Sequence, residues 1–459
     1  HQARTLAGMT VFHDGCTLDA AVTVTQGQLP ILLSLVNQSL LYRDAAGRFG
    51  IHPLVGQYAA RVLATDSDWW RFAHDAHAQH YAAFLERFAP ADKGGAAPSL
   101  RELEPEMANV EKAWFHLVDQ RRTDRLAELV DALLGYYTIL GQYRRGVELG
   151  TETLARLTSD EPLAVHVRCS VLLALSNMAR ESGLLAQALT YAERAAAAAE
   201  AGGQVGMQAR ARRFGADVLQ MLGRYDEAEA AYEVAVAAFT ELAEKSELAN
   251  TLNSLASMDA VRERYDAATR RFERCVTLFE EVGDVLAKAI ALNNLGYLAD
   301  AMGRQSLAAQ HYEASLADFE RIQFTRGIAA IKNNLVVLYG TMGRLDEAEA
   351  MGEQSLALKV EMEDRLGIVI SLKNLGDLSL MRGEPERALE RYLPAIRLAL
   401  ETEATPRLLQ VLPGYADALR RCGDDAQADA TWRALAVHPL TPPSAREKAL
   451  ATLTLEEWS

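Results

Sequence analysis

The chain has 459 residues, 49% of them hydrophobic and 24% charged, with 13 Pro and 30 Gly. This composition excludes collagen-like, proline-rich and globally disordered classes, because enough apolar surface is present to build a core. Basic residues number 47 against 62 acidic ones, a net charge of −15. That balance argues against a nucleic-acid-binding module, which would present a basic face.

The chain opens at His1 with no charged segment leading into an apolar one, so it reads as a piece cut from a longer protein rather than as a secreted precursor. Residues 1–65 form a first module. Thr17-Leu-Asp-Ala-Ala-Val reads as a helix start and residues 29–36 as a second amphipathic helix. Residues 39–42 and 48–51 read as two short strands joined by a Gly-ended loop at Asp44–Gly47, and His52-Pro53 opens a third helix running to about Leu63. Residues 66–122 read as a helical connector. Its His74, His77 and His80 recur every three residues, near enough for neighbours to share a metal. They nevertheless fan across the helix with no Cys or carboxylate in register, and packing is the expected role. Trp69, Trp70 and Trp114 are expected to tie the connector to the first repeat.

From residue 123 onward one pattern repeats. Gly141, Gly183, Gly223, Glu263, Gly303, Gly343, Gly383 and Gly423 mark equivalent turns, the first interval being 42 residues and the other six 40. Each unit has a Leu-rich helix A, a turn residue, and a helix B whose first turn is often acidic, as at Asp226-Glu227 and Asp346-Glu347. Helix B carries a small Ala and, four residues on, a large side chain. Ala228/Tyr232, Ala268/Phe272, Ala308/Tyr312, Ala388/Tyr392 and Ala428/Trp432 place notch and knob on one face, as core packing requires. Departures are local: Glu263 stands at a turn Gly position and Gly352 at a large helix-B position. Pro394, Pro406 and Pro413 predict looser stacking near the end, and residues 436–459 an atypical cap.

The slots filled by Gly296, Gly303, Ala308 and Tyr312, and again by Gly376, Gly383, Ala388 and Tyr392, resemble the tetratricopeptide repeat family, over roughly residues 123–435. The resemblance implies an all-α, right-handed superhelix of about eight long helix-turn-helix units. The first module is similar to the winged helix that follows the nucleotide-binding core of STAND-type (NB-ARC-like) signal-transducing ATPases. Val11-Phe12-His13-Asp14-Gly15, Asn37-Gln38-Ser39 and Ile51-His52-Pro53-Leu54 carry that likeness. Residues 72–84, Glu106-Met-Ala-Asn109 and Ala113-Trp114 resemble the connector leading into the repeat sensor arms of bacterial members. The resemblance implies that His52 faces the phosphate of ADP in the intact protein. ADP or ATP would then bind an upstream core, and the winged helix would pack on that core rather than on DNA.

No GxxxxGK[ST] loop occurs, and the only Gly near a Lys stands in Asp92-Lys93-Gly94-Gly95. GxSxG and HExxH are absent as well, so no enzymatic chemistry is expected of this chain. No run of about 18 apolar residues suggests a membrane span. Cys16, Cys169, Cys275 and Cys422 are far apart, which fits reduced thiols and a cytoplasmic location.

The candidate binding residues stand in helix A. Asn253, Asn293 and Asn333 form one column, and Asn294, Asn334 and Asn374 a second, with Arg213 and Lys373 at the ends. An amide carries both a donor and an acceptor, so a ladder of Asn can hold an extended peptide backbone. Arg213 and Lys373 could take carboxylates or phosphates. The second column has an equally good structural role in helix–helix hydrogen bonding. The resemblance to STAND-type proteins, taken with these features, implies an effector-sensing arm of a transcriptional regulator, which would bind a peptide, protein or small-molecule inducer and permit self-assembly when activated. The alternative is a stand-alone repeat scaffold or adaptor.

Overall fold

A computed structural model describes residues 1–88 and 100–453, which fall in two compact units, His1–Ala243 and Glu244–Ser459. The Asp92–Gly95 run and the last six residues of the expected cap lie outside the described residues.

In the first unit, helices α1 (Gln2–Gly8), α2 (Leu18–Thr25) and α3 (Leu29–Asn37) precede the antiparallel strands β1 (Leu41–Arg43) and β2 (Phe49–Ile51), then α4 (Pro53–Thr65). Thr17 caps α2 by accepting the Ala20 N–H at 3.2 Å, which explains why the helix starts there. Gly47 turns the hairpin at φ 86°. The helix–helix–hairpin–helix order is as the sequence reads; α1 is an addition with no cap signal of its own. The connector contributes α5 (Ser67–Glu86), α6 (Leu100–Leu103) and α7 (Met107–Asp119).

A buried polar hub joins the connector to the hairpin block. Glu106 is ion-paired with Arg48 and accepts the Tyr81 hydroxyl at 2.8 Å. Asn109, fully buried, accepts the His13 N–H at 2.7 Å and donates to the Gly15 carbonyl at 2.9 Å. His77 closes the cluster against Asn109, and burial pushes its pKa down to about 3, so its ring is neutral. His74 instead stacks on Trp70 and His80 lies edge-on to Tyr81, so each of the three rings has its own packing partner. Trp114 ties the connector to the first repeat, donating to Thr153 Oγ1 at 2.8 Å. Trp69 does otherwise: its N–H reaches back to the Arg4 carbonyl at 3.2 Å.

Helix pairs follow: α8 (Thr123–Ile139) with α9 (Tyr143–Arg156), α10 (Pro162–Glu181) with α11 (Leu185–Ala201), and α12 (Val205–Met221) with α13 (Tyr225–Glu241). Helix α10 is long and apolar enough to span a membrane by composition, but it is two-thirds buried among its neighbours and reads as a core helix.

The second unit continues the pattern with α14 (Lys245–Val261), α15 (Tyr265–Val282), α16 (Val285–Ala301), α17 (Gln305–Arg321) and α18 (Thr325–Thr341). Then come α19 (Leu345–Glu361), α20 (Arg365–Arg382), α21 (Pro385–Glu401), α22 (Thr405–Arg421) and α23 (Asp425–Val437), closed by α24 (Pro443–Thr452). This gives eight pairs among the described residues, an all-α repeat fold. Tyr232, Phe272, Tyr312, Tyr392 and Trp432 are all buried, as their notch-and-knob spacing requires. Gly296 and Gly376 explain the small residue facing each Tyr: a Cβ would stand 2.6 Å from the Tyr312 ring and 2.5 Å from that of Tyr392. At Gly352 the space of the missing large residue is taken by Leu375, whose Cδ2 would meet a Cβ at 2.5 Å.

The corners are more regular than the glycines suggest. Left-handed residues stand at 223, 243, 263, 283, 303, 323, 343, 363, 383, 403 and 423, one every 20 residues. Ten of the eleven, all but that at 243, close a helix with the same two bonds. At residue 263 the Glu263 N–H bonds the Ala260 carbonyl at 3.0 Å and the Arg264 N–H reaches back to Asp259 at 2.8 Å, a Schellman pair. Glu263 holds φ 58° with a side chain attached, a conformation that costs a non-glycine residue about 1 kcal/mol. Glu263→Gly is therefore expected to stabilise the second unit by about 1 kcal/mol, read as a higher urea midpoint. An unchanged or lower midpoint would mean that the Glu side chain itself holds the corner.

The prolines do not loosen the array as expected. Pro394 lies inside α21 and Pro413 inside α22, yet both helices run for 17 residues and both flanking corners keep register. Pro406 falls in the first turn of α22, where a missing N–H costs nothing. Packing on both neighbours outweighs the single ladder bond each internal proline removes. Toward the end of the array the shortened helix is α23, with 13 residues, whose Trp432 and Leu435 are covered by Ala449 and Leu453 of the closing segment.

Candidate functional site

The two asparagine columns are stitched together diagonally. Asn294 donates to Asn253 Oδ1 at 3.4 Å, Asn334 to Asn293 Oδ1 at 2.9 Å, and Asn374 to Asn333 Oδ1 at 3.1 Å. Each rung spans 41 residues, one full repeat plus one position, so the second-column amide of one unit ties to the first-column amide of the unit before. The second column thus does structural work, and the first spends its carbonyl oxygens on it. Ala substitution in either column would therefore disturb packing and binding together.

The two terminal cations also have partners. Lys373 pairs with Asp377 at 2.6 Å. In the first unit, Arg213 pairs with Asp217 at 3.6 Å and lies over the Phe214 ring at 4.7 Å, lining a cavity of about 320 Å³. His52, likewise in the first unit, is exposed at the N-cap of α4, with its ring 5.3 Å from that of Tyr42.

Two cavities open on the helix-A side of the second unit. One, of about 650 Å³, is lined by Asn333, Asn334, Lys359, Ile370 and Arg407 among others. The other, of about 520 Å³, holds Lys373, Asn374, Pro413 and Lys448, and shares Ile370 and Arg407 with the first. The two adjoin through these shared residues at the end of the amide ladder, and their lining mixes apolar side chains with basic ones and with Glu363 and Asp364.

Lys359 is the residue that sequence reading missed. It is 7% exposed, at the end of α19, and its ammonium donates to Ser371 Oγ at 2.8 Å and to Asn333 Oδ1 at 3.4 Å. Ser371 donates in turn to the same Asn333 oxygen at 3.4 Å, and Ser355 bonds the Ala329 carbonyl at 2.8 Å. Burial lowers the Lys359 pKa to about 8, with Asp364 opposing the shift. Its stem runs past Gly367, where a Cβ would stand 3.0 Å from its Cδ. The signal was available in the repeat register: Phe239, Phe279 and Phe319 occupy the equivalent positions, and Phe319 packs beside Gly327 in the same manner.

A family profile described as Tetratricopeptide repeat matches residues 247–321 and 327–401, and these segments are tetratricopeptide repeats. No curated protein sequence matches the chain. Among solved structures, the fold is similar to that of a Signal Transduction ATPase with Numerous Domains (STAND) protein with a tetratricopeptide repeat sensor from Pyrococcus horikoshii. That match has a TM-score of 0.69 and 13% identity, over 98% of this chain and 63% of the other. The chain therefore spans less than two-thirds of that protein's length. Aspartyl phosphate phosphatase F from Bacillus subtilis is similar at a TM-score of 0.51 and 11% identity, over 79% of this chain and 92% of its own.

Proposed function

We propose that this chain is the effector-sensing, peptide- or protein-binding arm of a STAND-type transcriptional regulator whose nucleotide-binding core lies outside this sequence. The observation that carries the reading is the amide ladder running into a partly apolar groove. Side-chain amides beside apolar side chains suit an extended peptide, whose backbone offers donors and acceptors at regular intervals. Support for the STAND assignment comes from a fold likeness that spans the hairpin block, the connector and the repeats.

In this reading residues 1–65 are a winged helix that packs on the upstream core, with exposed His52 turned to the phosphate of bound ADP. An inducer in the groove prefers the open state by several kcal/mol, which permits ADP/ATP exchange and self-assembly. Any ATPase activity belongs to the upstream core, and this chain contacts neither DNA nor a membrane.

Two experiments test this. Reading the coding sequence ahead of His1 decides the switch: a phosphate-binding GxxxxGK[ST] loop supports it, and a start codon within a few residues leaves only the stand-alone adaptor. For the groove, Asn253→Asp with Asn293→Asp keeps both rung acceptors while deleting the amide donors. Affinity for a random hexapeptide pool is expected to fall about tenfold, with little change in melting temperature. Undiminished binding would remove the first column from the site.

A further inference from the structure

We infer that Lys359 is the anchor for a carboxylate of the bound ligand, seated in the cavity between α18, α20 and α22. The inference rests on the peptide-binding reading and adds to it the charge that the peptide must carry.

The first argument is the missing counter-ion. Lys359 is buried at a position filled by Phe239, Phe279 and Phe319 in three sister repeats and by Ala199 and Ala399 in two others; among the described residues no carboxylate lies within ion-pair distance of its ammonium, Asp364 acting on it only from further off. Burying an unpaired charge is unfavourable, and a chain that merely needed a filled core would keep an apolar side chain. The second argument is a deficit of acceptors. An ammonium has three N–H groups, of which one meets Ser371 squarely and one makes a long contact to Asn333. The Asn333 oxygen is already shared by donors from Ser371 and Asn374, so three donors compete for two lone pairs. One further oxygen acceptor, carrying negative charge and entering from the cavity, would satisfy the cluster.

The surroundings select a carboxylate over a phosphate. Arg326, Arg365 and Arg407 line the cavity beside Lys359, but so do Glu363 and Asp364. Arg365 is also ion-paired with Glu401 at 2.6 Å. With Arg365 taken by Glu401, Lys359, Arg326 and Arg407 stand against Glu363 and Asp364, a surplus of one positive charge that a singly charged group balances and a dianion exceeds. The carboxylate can be a peptide C-terminus or an Asp or Glu side chain.

The test uses the full chain and one random hexapeptide pool in three forms: free C-terminal acid without Asp or Glu, C-terminal amide with Asp and Glu, and amide without them. Wild type is expected to bind at least one carboxylate-bearing form about ten- to a hundredfold more tightly than the carboxylate-free form. Lys359→Met is expected to erase that preference, bringing the carboxylate-bearing forms down to the affinity of the carboxylate-free form. Whichever acidic form is preferred identifies the source of the carboxylate. Equal wild-type binding of all three forms, or an equal loss on all three in Lys359→Met, overturns the anchor and leaves the groove reading intact. Binding of none of the three overturns both.

Discussion

Arg48→Met is expected to destabilise the first unit by about 3–5 kcal/mol. The Arg48 side chain is 15% exposed and that of Glu106 6%, so removing the guanidinium strands a carboxylate that water cannot reach. The loss does not stop at one pair. Arg48 also donates to the carbonyls of Gly15, at 3.1 Å, and Pro105, at 3.2 Å, and Gly15 is in turn held by Asn109. Hairpin block and connector therefore share one polar cluster whose members are all needed at once. Urea unfolding followed by hydrogen exchange over residues 100–119 measures the effect. The double variant Arg48→Met with Glu106→Met should recover only part of the stability, because the stranded charge leaves with its partner while the Tyr81 hydroxyl loses its acceptor. A loss below about 1 kcal/mol in the single variant, the scale of an exposed ion pair, would show that the hub is wet and the two segments are only loosely joined.

Lys359→Met is expected to act in the opposite sense, raising stability at pH 7 by about 1–3 kcal/mol. The sign follows from linkage. The Lys359 pKa falls from 10.5 to about 8 on folding, so between those values the unfolded chain binds more protons than the folded one. Wild-type stability should therefore climb as pH rises from about 8 towards 10.5, and stay flat below 8, where the buried charge is carried in full. The variant should lose that climb. Part of the gain is offset because Ser371 and Asn333 each lose a donor. Thermal melts across this pH range would read both effects, and a variant that melts lower than wild type at pH 7 would make Lys359 a structural residue. Greater stability together with lost carboxylate preference is the pattern of a residue kept for binding at the expense of the core.

Much of the fold was legible because the repeats write their register in residue types. Gly at helix-A corners, and Ala followed four positions later by an aromatic, are direct consequences of positive φ and of close helix packing. Five of the eleven corners carry no glycine, Glu263 among them. Ala243, Gln323, Glu363 and Glu403 adopt the left-handed conformation because equivalent turns surround them, and nothing in their side chains signals it. The asparagine columns were visible as columns, but their pairing was not, since each rung joins residues 41 apart and depends on how neighbouring helices are offset. The hub is the extreme case: Glu106 and Arg48 are separated by 58 positions, and Asn109 and His13 by 96. Prolines misled in the other direction, because local propensity was allowed to outweigh packing on two neighbours.

The twenty-residue spacing of the corners restricts how such a gene can change its length. A single inserted codon within a helix displaces every later corner against its predecessor. Removal of residues 283–322, by contrast, would join Val282 to Gln323, which is the same corner one repeat later, and would bring Asn334 to the place where Asn294 meets Asn253. Recombination between equivalent corners is thus close to silent for the scaffold, while it shifts the amide ladder relative to Lys359. Ligand length and anchor position can be retuned by unequal crossing-over, in steps of 40 residues, without a new fold being invented.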